Sequence, residues 1–107
     1  MEENSEDMLQ LGGNIQLSGF KNVDRSMMVV LKKIVGSHVK RYGDICQKFE
    51  SLTLTMKPVH QTEQNVLYEL HAKCMDNGKP IVAEGTDRNL FVILDDVLKK
   101  VESEIQK

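Results

Sequence analysis

Two periods of hydrophobic and polar residues divide this chain into elements. Asn14-Ile15-Gln16-Leu17-Ser18 alternates with period two, the signature of a short half-buried strand. From Asp24 the period changes. Met27, Leu31, Ile34 and Val35 recur at helical spacing, with Val30 beside them and His38 a turn further on. The pattern predicts a helix capped by Asp24 and running to about Tyr42, where Gly43 is expected to stop it. Lys32, Lys33, Lys40 and Arg41 fall mostly on its exposed side, while Met28 and Val29 also point partly outward. Leu52-Thr53-Leu54-Thr55-Met56 alternates again, and residues 58–64 are expected to be a polar connection. In the next strand Val66, Tyr68, Leu70, Ala72 and Cys74 share one face, and Glu69, His71 and Lys73 the other. Asn77-Gly78 supplies the left-handed pair that a tight hairpin turn requires, and a short strand follows at Ile81 to Glu84. Leu90, Leu94, Val97, Leu98, Val101 and Ile105 then define a helix from about Arg88 to Lys107, with Thr86 or Asp87 as its expected cap.

The order is therefore β-α-β-β-β-α. Strands with one polar face imply a sheet covered on one side only, so both helices must pack on the same face. The expected fold is an α+β two-layer sandwich: a four-stranded, mainly antiparallel sheet with two helices on one face, similar in layout to double-stranded-RNA-binding domains. The helices' outer surfaces would then lie side by side and present most of the basic residues. The chain divides into a flexible acidic tail at residues 1–13 and a single domain at 14–107, a natural reading for 107 residues.

Charge sharpens this picture. The net charge is −2, yet four of the 16 acidic residues (Glu2, Glu3, Glu6 and Asp7) lie in the first seven positions, which carry no Lys or Arg. The remainder holds a small basic excess, well below that of a dedicated DNA-binding domain. No apolar run approaches the roughly 20 residues that span a bilayer, and the acidic start lacks the features of a secretory signal. A cytoplasmic protein is expected, with Cys46 and Cys74 as reduced thiols, although these two could form one disulfide.

Catalytic and metal-binding patterns are not evident. His71 should project from the open sheet face with Lys73, whereas Cys74 should face the core, so they do not converge as base and nucleophile. His38 reads as a packed helix residue and His60 as a loop residue. There is no Cys-x-x-Cys or His-Glu-x-x-His spacing for zinc, and no Gly-x-x-x-x-Gly-Lys phosphate loop. Asp95 and Asp96 are adjacent on a helix and point in different directions. Neither an enzyme nor a cofactor or metal is expected.

Several local sequences resemble the ribosome hibernation factors, of the short hibernation-promoting factor and ribosome-associated translation inhibitor type. The opening strand Asn14 to Gly19, the Val23-Asp24 helix entry, the alternating Tyr68 to Lys73 and the Ile81-Val82-Ala83-Glu84-Gly85 strand follow that family's layout. So do Asn89-Leu90-Phe91-Val92-Ile93-Leu94-Asp95 and Lys100-Val101-Glu102-Ser103-Glu104-Ile105 in the last helix. The resemblance covers roughly residues 14–107. It implies a non-catalytic protein that binds ribosomal RNA of the small subunit near the decoding region, obstructs the mRNA and tRNA sites, and is a monomer off the ribosome. DNA and membranes are not implied partners. Lys40 and Lys100 occupy positions commonly basic in the family. Lys32, Lys33, Arg41, Lys99 and Lys107 join them from helical geometry. Asp95, Asp96 and Glu104 put negative charge on the same helix as Lys99 and Lys100, which reduces the phosphates it can neutralise. The alternative expectation is a small protein-interaction module or homodimer on the same fold, with Met28 and Val29 in its interface and no RNA binding.

Overall fold

The computed structural model describes residues 8–10, 14–61 and 66–107. Strands β1 (Met8–Gln10), β2 (Ile15–Ser18), β3 (Phe49–Gln61), β4 (Val66–Asp76) and β5 (Lys79–Asp87) form one sheet in that spatial order. Helix α1 (Arg25–Ile45) joins β2 to β3, and α2 (Leu90–Ile105) follows β5. A helical crossover returns the chain to the same end of the sheet, so β2 and β3 pair in parallel while the other three pairings are antiparallel. This is the expected α+β two-layer sandwich, a mixed sheet under two helices, with a short extra strand at one edge. That strand, Met8–Gln10, lies within the segment expected to be a tail; the rest of 1–13 is outside the described residues apart from this strand.

Register explains how the sheet accepts the helices. Across β3, β4 and β5 the inward rows are Leu52–Cys74–Ile81, Leu54–Ala72–Ala83 and Met56–Leu70–Gly85. In the last two rows bulk falls toward β5, and this is where α2 sits: a Cβ built on Gly85 would meet Val97 Cγ2 at 3.2 Å. Leu31, Val35 and Tyr42 from α1 and Leu90, Ile93, Leu94, Val97, Leu98 and Val101 from α2 close over these rows as a single buried cluster. Ile93 joins the buried stripe of α2, whereas Ile105, expected in it, is only half-buried. Phe20, in the connection between β2 and α1, is 1% exposed and belongs to the buried cluster.

The two helices run parallel: His38 meets Asp95, and Arg41 and Tyr42, about one turn further along α1, meet Glu102 and Leu98, further along α2. Tyr42 is wholly buried and its hydroxyl donates to the Leu98 carbonyl. Burial raises its pKa far above the ordinary tyrosine value, with the negative charge of neighbouring Cys74 and Glu102 adding to the effect. The hydroxyl therefore stays a neutral donor.

Several boundaries differ from the sequence expectations for identifiable reasons. Gly43 does not stop α1. The helix continues to Ile45, which packs against the core, and the Cys46 amide still bonds the Tyr42 carbonyl. Asp24 occupies the cap position of α1, but its carboxylate accepts from the Ser26 hydroxyl at 2.6 Å and not from the first-turn amides. At α2 the cap is Asn89, accepting from the Phe91 and Val92 amides, because Thr86 and Asp87 are still paired in β5 with Glu69 and Tyr68. Strand β3 continues past Met56 through Pro58 to Gln61, a stretch expected to be a connection; Pro58 lies at a register shift, where a missing amide donor is tolerated. Residues 62–64 of that expected connection lie outside the described residues. The Asn77-Gly78 turn forms as expected, with φ of 54° and 81°.

Gly19, just after β2, has φ of 85°, and a Cβ there would collide with the Met56 carbonyl oxygen. Gly19→Ala is therefore expected to destabilise the fold by about 2–3 kcal/mol. Urea denaturation should show a lower midpoint at unchanged slope.

Candidate nucleic-acid interface

The seven basic residues singled out from the sequence divide into two groups. Lys32, Lys33 and Lys40 are exposed on the outer side of α1 and have no ion-pair partner among the described residues. The other four are held by carboxylates. Arg41 Nε lies 2.6 Å from Glu102 Oε2, bridging the two helices. Lys99 pairs with Asp95 at 3.0 Å, Lys100 with Asp96 at 3.4 Å, and Lys107 with Glu104 at 2.9 Å. Lys100 also donates to the Glu84 carbonyl of β5 at 3.1 Å.

Helical periodicity produces this division. On α2 the residue four before Lys99 is Asp95, and four before Lys100 is Asp96. An acid four positions N-terminal to a lysine sits on the same face within reach. The hydrogen bond from Lys99, and secondarily that from His38, holds the Asp95 carboxyl below its ordinary pKa; Asp95 in return raises that of Lys99. His38, with its side chain 14% exposed, donates from Nε2 across the helix pair to Asp95 Oδ1 at 3.0 Å. It is the packed residue expected, and it bridges the helices. Within Leu90–Ile105 the acids Asp95, Asp96, Glu102 and Glu104 outnumber Lys99 and Lys100, so the outer surface of α2 is net negative.

On α1 the outward positions follow i, i+4, i+7, i+11, i+15 and i+18: Arg25, Val29, Lys32, Gly36, Lys40 and Gly43, with Lys33 alongside. All are exposed. From Arg25 to Lys40 the stripe spans roughly 22 Å at 1.5 Å per residue. Arg25 and Gly36 belong to it although the basic-residue count did not single them out. Their spacing from Lys32 and Lys40 was the available signal. A Cβ on either Gly36 or Gly43 would meet nothing within 4 Å. Neither glycine is required by packing, and each lowers helix propensity by about 1 kcal/mol relative to alanine. The stripe is therefore positively charged and, at two places, low enough for another molecule to approach the helix backbone closely.

Apolar exposure on the helices centres on Val29 at 53%, Val30 at 44% and Val92 at 51%. Met28 is half-buried and packs against the core. The opposite sheet face is polar apart from Val82, which is 64% exposed. There the His71 ring is taken on both nitrogens, Nε2 by Glu69 and Nδ1 by Glu84 at 3.2 Å. Cys74 lies on the other side of β4 in the core, so these side chains do not converge with it. No group of three or more His, Cys, Asp or Glu is arranged to hold a metal ion among the described residues. Among the same residues, no helix is long and apolar enough to cross a membrane. Comparison with known proteins adds no family: no protein-family model matches the chain, and no curated protein shows significant similarity to it.

Proposed function

We propose that this chain is a cytoplasmic, ribosome-associated translation inhibitor of the hibernation type, which binds small-subunit ribosomal RNA near the decoding region. It acts by occupying sites and not by catalysis. The β-α-β-β-β-α order over a one-sided sheet supports the reading, as does the sequence resemblance along residues 14–107. The observation that carries it is the exposed stripe of α1, where Arg25, Lys32, Lys33 and Lys40 stand without carboxylate partners among the described residues. Phosphates neutralised by such groups release their counterions, and binding strength follows the number of them. In this reading α1 carries most of the phosphate contact. Lys99, Lys100, Lys107 and Arg41 contribute less, because a phosphate must first compete with Asp95, Asp96, Glu104 and Glu102.

A second reading, self-association, is favoured by the exposure of Val29 and Val30 on the same helix. Under the ribosomal reading the free chain is a monomer. Light scattering should therefore return the monomer mass for the wild-type chain and for Val29→Asp alike. A wild-type dimer that Val29→Asp dissociates would establish the second reading instead.

Two outcomes test the ribosomal reading. At low salt the protein should co-sediment with small ribosomal subunits, and log affinity should fall with log salt with a slope of about −3 for some four phosphates. Joint reversal of Lys32, Lys33 and Lys40 to Glu should abolish co-sedimentation, whereas reversal of Lys99 and Lys100 should weaken it less. Protein that stays in the supernatant at low salt would refute the reading.

Gly36 separates a contact surface from a merely solvated one. Gly36→Ala should stabilise the free protein by about 0.5–1 kcal/mol in urea denaturation, since the helix gains propensity and the methyl meets nothing. Gly36→Leu should fold normally yet bind small subunits several-fold more weakly. Undiminished binding by that variant would remove the glycine notch from the interface.

A further inference from the structure

The cysteines lie apart from the lysine stripe, on an arrangement that only the tertiary fold creates. Cys46 caps the C-terminal end of α1, and Cys74 points inward from β4. The chain just beyond Cys46 is tied to the end of β4: the Gln47 and Lys48 amides donate to the Asp76 carboxylate at 3.4 and 2.8 Å, and the Asn77 amide donates to the Lys48 carbonyl at 2.8 Å. This docking packs Cys46 against the buried cluster that holds Cys74, where each thiol perturbs the other. Cys74 is buried, whereas Cys46 is partly open to solvent. One accessible sulfur above one covered sulfur is the layout for sequential thiol–disulfide exchange, in which the outer thiol reacts first and the inner one resolves.

We propose that Cys46 and Cys74 close into an intramolecular disulfide when the protein meets a low-molecular-weight disulfide such as oxidised glutathione. Cys46 loses its proton to solvent and attacks one sulfur of the glutathione disulfide. That S–S bond breaks, and one glutathione leaves as a thiolate that takes up a proton. Cys74 then deprotonates and attacks the Cys46 sulfur of the mixed disulfide, expelling the second glutathione, which is protonated in turn. The protein thiols give up two electrons and two protons, and both end on the two glutathione thiols.

The surroundings keep the pair reduced until such an oxidant is abundant. Burial raises the Cys46 pKa, and the Asp76 charge beside it adds to this. Burial, reinforced by Cys46, pushes Cys74 up to about 12. Little thiolate is therefore present to start the exchange. Once closed, the bond fastens the end of α1 to β4 across a loop of about 30 residues, which restricts the unfolded chain. The helix that carries the lysine stripe is then pinned to the sheet, whether or not that stripe binds RNA.

Incubation of the folded chain with oxidised glutathione, followed by acid quenching, intact mass measurement and peptide mapping, tests the proposal. The wild-type chain should lose about 2 Da and yield a Cys46–Cys74 cross-linked peptide. Its melting midpoint should rise by roughly 10 °C. Cys74→Ala should stop at the mixed disulfide on Cys46, and Cys46→Ser should remain unmodified while folded. Wild-type protein that accumulates glutathione on Cys46 without closing, or keeps both thiols free, would overturn the proposal. The wild-type mass decides the matter even where a cysteine variant fails to fold.

Discussion

The constraint on which the rest of this structure depends is that a single sheet face must be sealed by two parallel helices, and Tyr42 is where the seal closes. Its ring is wholly buried and its hydroxyl donates to the Leu98 carbonyl, so one side chain joins α1 to α2 above β4. A buried hydroxyl without a partner costs about 1–3 kcal/mol, so this bond fixes how far along each helix the two must meet. His38–Asp95 and Arg41–Glu102 then fall into place on either side of it. With the inner faces committed to packing, the outer faces are free to differ, and they do.

That difference is electrostatic. Surface ion pairs are each worth little to stability, about 0–1 kcal/mol, so the pairs on α2 are not what holds the fold together. Their effect is on net charge. Asp95 and Asp96 sit one turn before Lys99 and Lys100 and cancel them locally, whereas α1 carries only Asp44 within its span against Arg25, Lys32, Lys33, Lys40 and Arg41. A polyanion approaching the helix layer therefore meets attraction over one helix and near cancellation or repulsion over the other. The symmetrical two-helix platform that the sequence suggests becomes a one-sided one.

Where sequence reading fell short, the reason was a tertiary contact overriding a local signal. Gly43 resembles a helix stop, but Ile45 packs on the core and the helix persists to reach it. Thr86 and Asp87 are sound cap residues by type, but the ladder with β4 holds them in strand and leaves the cap to Asn89. Phe20 looks like a loop residue until the fold draws it into the buried cluster. The candidate site was legible as far as its lysines were concerned. Their separation into free and paired was half legible: the Asp95–Lys99 and Asp96–Lys100 pairs follow from spacing, but Arg41–Glu102 joins residues on different elements and has no local trace.

The sequence by itself determined the elements from Ile15 onward, the one-sided burial and the sandwich, because these follow from periods of two and 3.6 and from the left-handed Asn77-Gly78 turn, all local properties of the chain, whereas the edge strand Met8–Gln10 did not show in them. Only the tertiary structure decided that the helices run side by side in parallel with Tyr42 against Leu98, that the lysines of α1 stand without carboxylates among the described residues while those of α2 are paired, and that Cys46 packs against the core cluster holding Cys74. These depend on strand register and on which residues face each other across the helix pair. They are distances between residues far apart along the chain, set when the core packs and not by any period within it.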